Sequence, residues 1–161
     1  MTGTWRSGIG FDTHRLVAGR KLVIGGVEIE HELGLDGHSD ADVLAHAVTD
    51  ALLGAAALGD IGLHFPDTDE RWRGADSIAL LLAAAALVRE AGFLPVNIDA
   101  TVICERPLLG GHREQMVARL AGATGLDTTA VNVKFTRGEG MGYVGRGEGV
   151  AVLAIASVLQ E

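Results

Sequence analysis

Two stretches decide the fold: Ile9-Gly-Phe-Asp-Thr-His14, and Ser39-Asp-Ala-Asp-Val-Leu-Ala-His-Ala-Val-Thr-Asp-Ala-Leu-Leu-Gly-Ala-Ala-Ala-Leu58. The first reads as a strand. Side chains alternate faces along a strand, so Asp12 and His14 point the same way. The second reads as a helix running to about Leu58. Ser39 is its expected N-cap, and Asp40 and Asp42 fall in the first turn, where carboxylates suit the helix dipole. Val43, Ala47, Ala51 and Leu58 lie on or near one stripe, and His46 lies a turn or more inside.

The remaining elements follow by the same reasoning. Lys21 to Ile29 holds two short apolar runs around Gly25-Gly26 and reads as a hairpin. Leu33 to Gly37 reads as loop, and Gly59 to Asp69 as a long polar loop of the kind that is functional or disordered. A second helix begins at Asp76 or Ser77, covers Ile78 to Ala91 and ends at Gly92. Asn97 to Cys104 alternates as a strand. Arg113 to Ala123 is a third helix closed by Gly125. Val131 to Thr136 is a strand, and Gly138 to Gly149 a glycine-rich loop. Val150 to Leu159, apolar throughout and rich in Val and Ile, is expected to be a strand. Helices interspersed with strands predict an α+β two-layer sandwich, a mixed β-sheet covered on one face by helices, in one domain over residues 1–161.

Bulk properties narrow the partners. The chain has 161 residues and a formal charge of -8. Nucleic acid and anionic membranes repel such a surface. Hydrophobic residues make up 48% but aromatics only 4%, so Ala, Leu, Val and Ile must fill the core. The single cysteine, Cys104, excludes an intramolecular disulfide and a thiolate zinc cluster. Met1 to Ser7 is polar, and Ile78 to Val88 is too short to span a bilayer. A soluble cytoplasmic protein is the expectation.

Asp12, His14 and His46 form a three-ligand set. Three protein ligands leave a tetrahedral zinc one open position, the catalytic arrangement. Alternation and helix spacing do not by themselves bring the strand pair to His46, and an Asp beside a His is often only an ion pair. Asp42, His46 and Asp50 repeat every four residues on the helix. A carboxylate one turn from His46 can orient its ring, although for Asp42 a solvated acidic face is the simpler expectation. His38 and Ser39 sit at the helix N-terminus, where free N–H groups suit a phosphate oxygen, and a plain loop residue before the helix is an equal expectation for His38. The glycines of Thr136-Arg-Gly-Glu-Gly140 and Gly145-Arg-Gly-Glu-Gly149 fit neither a Walker loop nor a dinucleotide fingerprint. Glu139 can hold a hard cation. Arg146 can clamp a phosphate or simply pair with Glu148.

These motifs, together with residues 46–62 and Phe65-Pro-Asp-Thr-Asp69, closely resemble the 2-C-methyl-D-erythritol 2,4-cyclodiphosphate synthase family of the non-mevalonate isoprenoid pathway. The resemblance covers about Arg6 to Leu159. It implies a phosphorus–oxygen lyase that converts 4-diphosphocytidyl-2-C-methyl-D-erythritol 2-phosphate to the cyclic diphosphate with release of CMP. It implies a homotrimer with active sites between subunits. Asp12, His14 and His46 would bind Zn²⁺ or another divalent transition metal, and Glu139 a Mg²⁺ or Mn²⁺ ion beside the diphosphate. His38 and Ser39 would face the phosphate, with His38 stabilising the transition state. Asp60, Ile61 and Gly62, with Phe65, Pro66, Asp67, Thr68 and Asp69, would line the methylerythritol and ribose side. Cys104, Glu105, Arg106, Pro107, Leu108, Leu109 and Gly110 of a neighbouring subunit would hold the cytosine. Thr136 would contact the diphosphate. Tyr143 and Arg146 would border a cavity on the threefold axis that can hold an isoprenoid diphosphate.

The chain departs from this pattern twice. The family's usual Ala-Thr-Thr-Thr-Glu-Lys is Phe135-Thr-Arg-Gly-Glu-Gly140 here, so Arg137 stands where a threonine contacts the phosphates. The usual Pro-Lys is Pro107-Leu108. A zinc phosphoesterase and a non-catalytic trimer binding isoprenoid diphosphate are the competing readings.

Overall fold

Two glycines decide how the layers meet. In the computed structural model, which describes residues 3–160, strand β1 spans Thr4–Ala18 and helix α1 spans Val43–Ala55. Gly8 and Gly10 share the face of β1 that carries Asp12 and His14. A Cβ at Gly10 would lie 1.8 Å from the Ala47 carbonyl oxygen, and one at Gly8 would lie 2.1 Å from that of Ala51. Hydrogen in place of a side chain therefore lets the helix backbone rest directly on the strand.

The main sheet has the order β4-β1-β7-β5-β6, with β4 at Leu33–Leu35, β5 at Phe93–Ile103, β6 at Val131–Thr136 and β7 at Gly149–Gln160. β5 and β6 pair in parallel, whereas β1 with β4, β1 with β7 and β5 with β7 are antiparallel, so the sheet is mixed. A parallel pair needs a crossover, and helix α4 (Arg113–Thr124) lies in it. Helix α3 (Ser77–Glu90) packs against α1 and α4. A separate hairpin joins β2 (Leu22–Ile24) to β3 (Val27–Ile29) through Gly25-Gly26, both at positive φ. The buried side chains form one cluster between sheet and helices, drawn mainly from Ala, Leu, Val and Ile. Trp5, Ile9, Phe11, Leu153 and Ile155 lie on the opposite face and are 43–69% exposed.

The α+β expectation and the strand at Val150 to Leu159 hold, and several local expectations change. Ser39 does not cap α1; Asp42 does, accepting from Ala45 N. Asp42 is not a solvated acidic residue. It is fully buried, and its carboxylate also accepts from Gly25 N at 2.8 Å and Gly26 N at 2.6 Å, tying the hairpin turn to the helix start. α1 stops at Ala55 rather than near Leu58. Ala57 turns left-handed and Leu58 N returns to Leu53 O, a six-to-one closure of the Schellman type. Leu33–Leu35 is an edge strand rather than loop. The strand expected at Ile9 to His14 is part of a longer one, and the one expected at Asn97 to Cys104 starts earlier, at Phe93, and ends at Ile103, leaving Cys104 outside. Both long loops carry a helical turn, α2 (Ile61–His64) and α5 (Gly142–Gly145). Among the described residues no helix is long and apolar enough to cross a membrane. Met1, Thr2 and Glu161, which belong to the expected domain span and polar start, lie outside those residues.

Candidate metal centre and adjoining pockets

The close contact of β1 with α1 brings His46 over the strand pair. Asp12 Oδ2 lies 2.8 Å from His14 Nε2 and 3.1 Å from His46 Nδ1, and the two ring nitrogens are 3.2 Å apart. A tetrahedral ion with bonds of about 2.0–2.1 Å separates its donors by about 3.3–3.4 Å. The triangle is thus close to the face such an ion requires. This is the one group of three such side chains with ligand atoms in mutual reach among the described residues.

Proton placement gives a second test of fit. His14 Nδ1 is 2.7 Å from the Asp36 carbonyl oxygen, which can only accept, so Nδ1 carries a hydrogen. His46 Nε2 is 2.8 Å from Ser77 Oγ, on the side away from Asp12. In the neutral rings, two nitrogen lone pairs and one carboxylate oxygen then converge on one point, an arrangement that a cation relieves. The donor set of two imidazoles and a carboxylate suits zinc and similar divalent ions. Burial lowers the His14 pKa, but the hydrogen bond and charge of Asp12 outweigh it and hold the ring above the usual histidine value. Burial raises Asp12, and its bonds to His14 and His46 bring it below the usual carboxylate value.

A cavity of about 490 Å³ opens beside the triad, lined by His14, His46, His38, Ser39, Ile61, Gly62, Phe65, Pro66, Asp67 and Thr68, with Gly37, Trp72 and Leu80. Arg20 fixes its rim by donating to Leu35 O at 3.0 Å and Ser39 O at 2.9 Å. Asp50 does not orient His46. It accepts from Ile61 N at 2.7 Å and anchors the turn that Asp60 caps. Asp42 does not orient the ring either. His38 is four residues ahead of the Asp42 cap, so it does not sit at the helix N-terminus. Its Nε2 is nevertheless sealed from solvent without a partner among the described residues, as is Trp72 Nε1. Asp69 pairs with Arg71 at 2.6 Å.

The other expected residues gather elsewhere. Cys104, Pro107, Leu108, Leu109, Gly110, Thr136 and Arg137 line a cavity of about 340 Å³ with Arg113 and Phe135. Glu105 accepts from Gly138 N at 2.9 Å, which closes the glycine-rich loop onto the end of β5. Glu139 is exposed, with Arg137 3.5 Å away. Arg106 precedes a cis proline at Pro107. Tyr143 lines a third cavity with Thr13, and its hydroxyl accepts from Thr13 Oγ1 at 2.9 Å. Arg146 pairs with Glu148 at 2.8 Å, the simpler of its two expected states. Sequence reasoning missed Trp72, which lines the cavity, and the pairing of Ser77 with Asp40, which joins the start of α3 to the segment before α1.

A sandwich with one mixed sheet and, at the strand–helix junction, an Asp-His-His cluster that could hold a metal ion defines the protein as α+β with a candidate metal centre. The chain matches the YgbB family over residues 5–159 and belongs to it. It is 57% identical over 155 residues to the 2-C-methyl-D-erythritol 2,4-cyclodiphosphate synthase of Alkaliphilus oremlandii (strain OhILAs), covering 96% of this chain and 99% of that one. A solved structure of 2C-methyl-D-erythritol-2,4-cyclodiphosphate synthase in a CDP-bound form superposes with a TM-score of 0.87 at 39% identity, over 95% of this chain and 99% of the other. The bifunctional IspDF of Campylobacter jejuni gives a TM-score of 0.95 at 43% identity over 99% of this chain, which spans 43% of that longer protein.

Proposed function

We propose that this chain, acting as one domain, is a cyclodiphosphate synthase. It converts 4-diphosphocytidyl-2-C-methyl-D-erythritol 2-phosphate to 2-C-methyl-D-erythritol 2,4-cyclodiphosphate and CMP. The observation that carries the reading is the triangle of Asp12, His14 and His46 beside a cavity of about 490 Å³ lined by His38, Ser39 and residues of the 61–68 segment. Family membership and the name shared by full-length relatives support it. Cyclisation joins an oxygen of the 2-phosphate to the β-phosphorus, and the bond from that phosphorus to the oxygen bridging the α-phosphate breaks. The nucleophile is already an anion, so no general base is needed. The protein's task is alignment and charge neutralisation.

The residues divide that work. Asp12, His14 and His46 would hold zinc, which when bound would supply Lewis-acid stabilisation of phosphoryl charge. His38, with an unpartnered ring nitrogen, and Ser39 donate to the phosphates. Phe65 to Asp69 and Asp60 to Gly62 enclose the methylerythritol and ribose and exclude water. Cys104 to Gly110 hold the base. Thr136 and Arg137 meet the diphosphate, and Glu139 holds magnesium or manganese there. The base-binding cavity and the metal cavity are separately lined, which fits a site completed by a neighbouring subunit. The exposed apolar strip of β1 and β7 supplies the interface such a trimer needs, since monomers rarely leave large apolar patches uncovered. Tyr143 and Arg146 then border the axial cavity, and the cytoplasm is the proposed compartment. Phosphorus NMR of the purified protein with the cytidyl substrate, zinc and magnesium tests the activity. Cyclic diphosphate and CMP are expected. Release of inorganic phosphate, or no turnover by folded, metal-loaded protein, would refute it.

A further inference from the structure

A histidine ligand offers its metal the intended nitrogen only when the other nitrogen's hydrogen is held elsewhere. For His14 a backbone carbonyl does this. For His46 the work falls to side chains outside the ligand set. Ser77, the first residue of α3, is fully buried, and its Oγ lies 2.8 Å from His46 Nε2. The same hydroxyl makes a short hydrogen bond to Asp40 Oδ1, while Ser77 N donates to Asp40 Oδ2 at 3.1 Å. An ionised carboxylate only accepts, so the hydroxyl hydrogen goes to Asp40. The Ser77 oxygen is then left to accept, and the hydrogen between it and the ring belongs to His46 Nε2. The Nδ1 lone pair consequently faces Asp12 and His14. Ser39 Oγ, 3.2 Å from the same nitrogen and 3.4 Å from Ser77 Oγ, is a longer second neighbour.

We infer that Asp40 and Ser77 are positioning residues that fix the tautomer and direction of His46 for the metal. The relay spans three parts of the fold: the segment before α1, the first residue of α3 and the ligand itself. The packing of α3 against α1 is thereby coupled to metal affinity. The carboxylate also polarises the hydroxyl toward greater acceptor strength, so the ring becomes a more basic ligand. The inference rests on the proposed metal-binding role of His46, and its test separates the two.

Zinc affinity of the wild type, His46→Ala, Ser77→Ala and Asp40→Asn is measured by competition with a chromophoric chelator. Long-range proton–nitrogen spectra of the metal-free proteins at pH 8 report the His46 tautomer. The wild type is expected to carry the hydrogen on Nε2. Ser77→Ala is expected to lose zinc affinity by about 10–100-fold and to show a mixture of tautomers, which loss of packing alone does not produce. Asp40→Asn should move both readouts in the same direction, and no change there would remove Asp40 from the assignment. Unchanged affinity in Ser77→Ala, or a wild-type hydrogen on Nδ1, overturns the inference. The wild-type spectrum decides the matter if Ser77→Ala fails to fold. Equal zinc binding by the wild type and His46→Ala would instead overturn the role of His46 as a ligand.

Discussion

Replacing Gly10 with alanine should break the candidate metal centre without touching Asp12, His14 or His46. The added Cβ would sit 1.8 Å from Ala47 O, 2.8 Å from Ala47 C and 2.9 Å from Ala51 N. Real Cβ atoms keep at least 3.0 Å from such neighbours, so strand and helix must separate by about 1.2 Å. The atoms struck are backbone, and no side-chain rotamer can yield. Overpacking of a tight interior typically costs about 1–3 kcal/mol and occasionally more, and a backbone collision puts Gly10→Ala at about 3 kcal/mol or above. Ala47 follows His46 directly, so the displacement reaches the ligand. Metal–ligand distances tolerate only about 0.2 Å of error, whereas β1 and α1 would move apart by several times that. Gly54→Ala is the matched control. Gly54 faces the same strand from within α1, its added Cβ would meet nothing closer than 4.0 Å, and alanine should stabilise the helix by about 0.5–1 kcal/mol. Zinc titration and thermal melting at one protein concentration read both variants. Gly10→Ala should melt well below the wild type and hold zinc poorly, and Gly54→Ala should match or exceed the wild type. A Gly10→Ala protein with wild-type melting and wild-type zinc affinity would refute the close-contact argument.

Three further outcomes follow from individual groups. Asp42→Ala removes a helix cap and leaves the N–H groups of Gly25 and Gly26 without their acceptor. A cap is worth about 1 kcal/mol and each stranded buried donor about 1–3 kcal/mol, so urea unfolding should show a loss of about 3–7 kcal/mol, with Asp42→Asn in between. Because the His14 pKa lies above the ordinary histidine value in the metal-free centre, zinc must displace a proton at and below that value. Affinity should therefore rise with pH and level off above it, with at least about half a proton released per site at pH 6.5. Calorimetry in buffers of different ionisation enthalpy measures this, and absence of release would count against the assignment. Burial pushes the Cys104 thiol up to about 11. Its thiolate fraction at pH 8 is then about 200-fold below that of a free cysteine, so iodoacetamide should label it only slowly until the protein is unfolded.

Short-range pattern carried much of this protein. Alternation alone put Asp12 and His14 on one side of β1, paired glycines marked the β2–β3 turn, and the Val- and Ile-rich run after Gly149 became β7. Most residues lining the cavity beside the Asp-His-His cluster lie in contiguous motifs, whereas Trp72 and Leu80, which also line it, carry no local signal. Packing decided the rest. Ser39 and Asp42 are both good caps by composition, and Asp42 took the position because the hairpin turn brought two further N–H donors to its carboxylate. The meeting of His46 with Asp12 depended on two glycines whose role appears only when helix and strand are laid together. Ser77 and Asp40 stand 37 positions apart, and local propensity holds no information on such a pair. Their contact exists because α3 packs against α1, and that choice is made by the whole core.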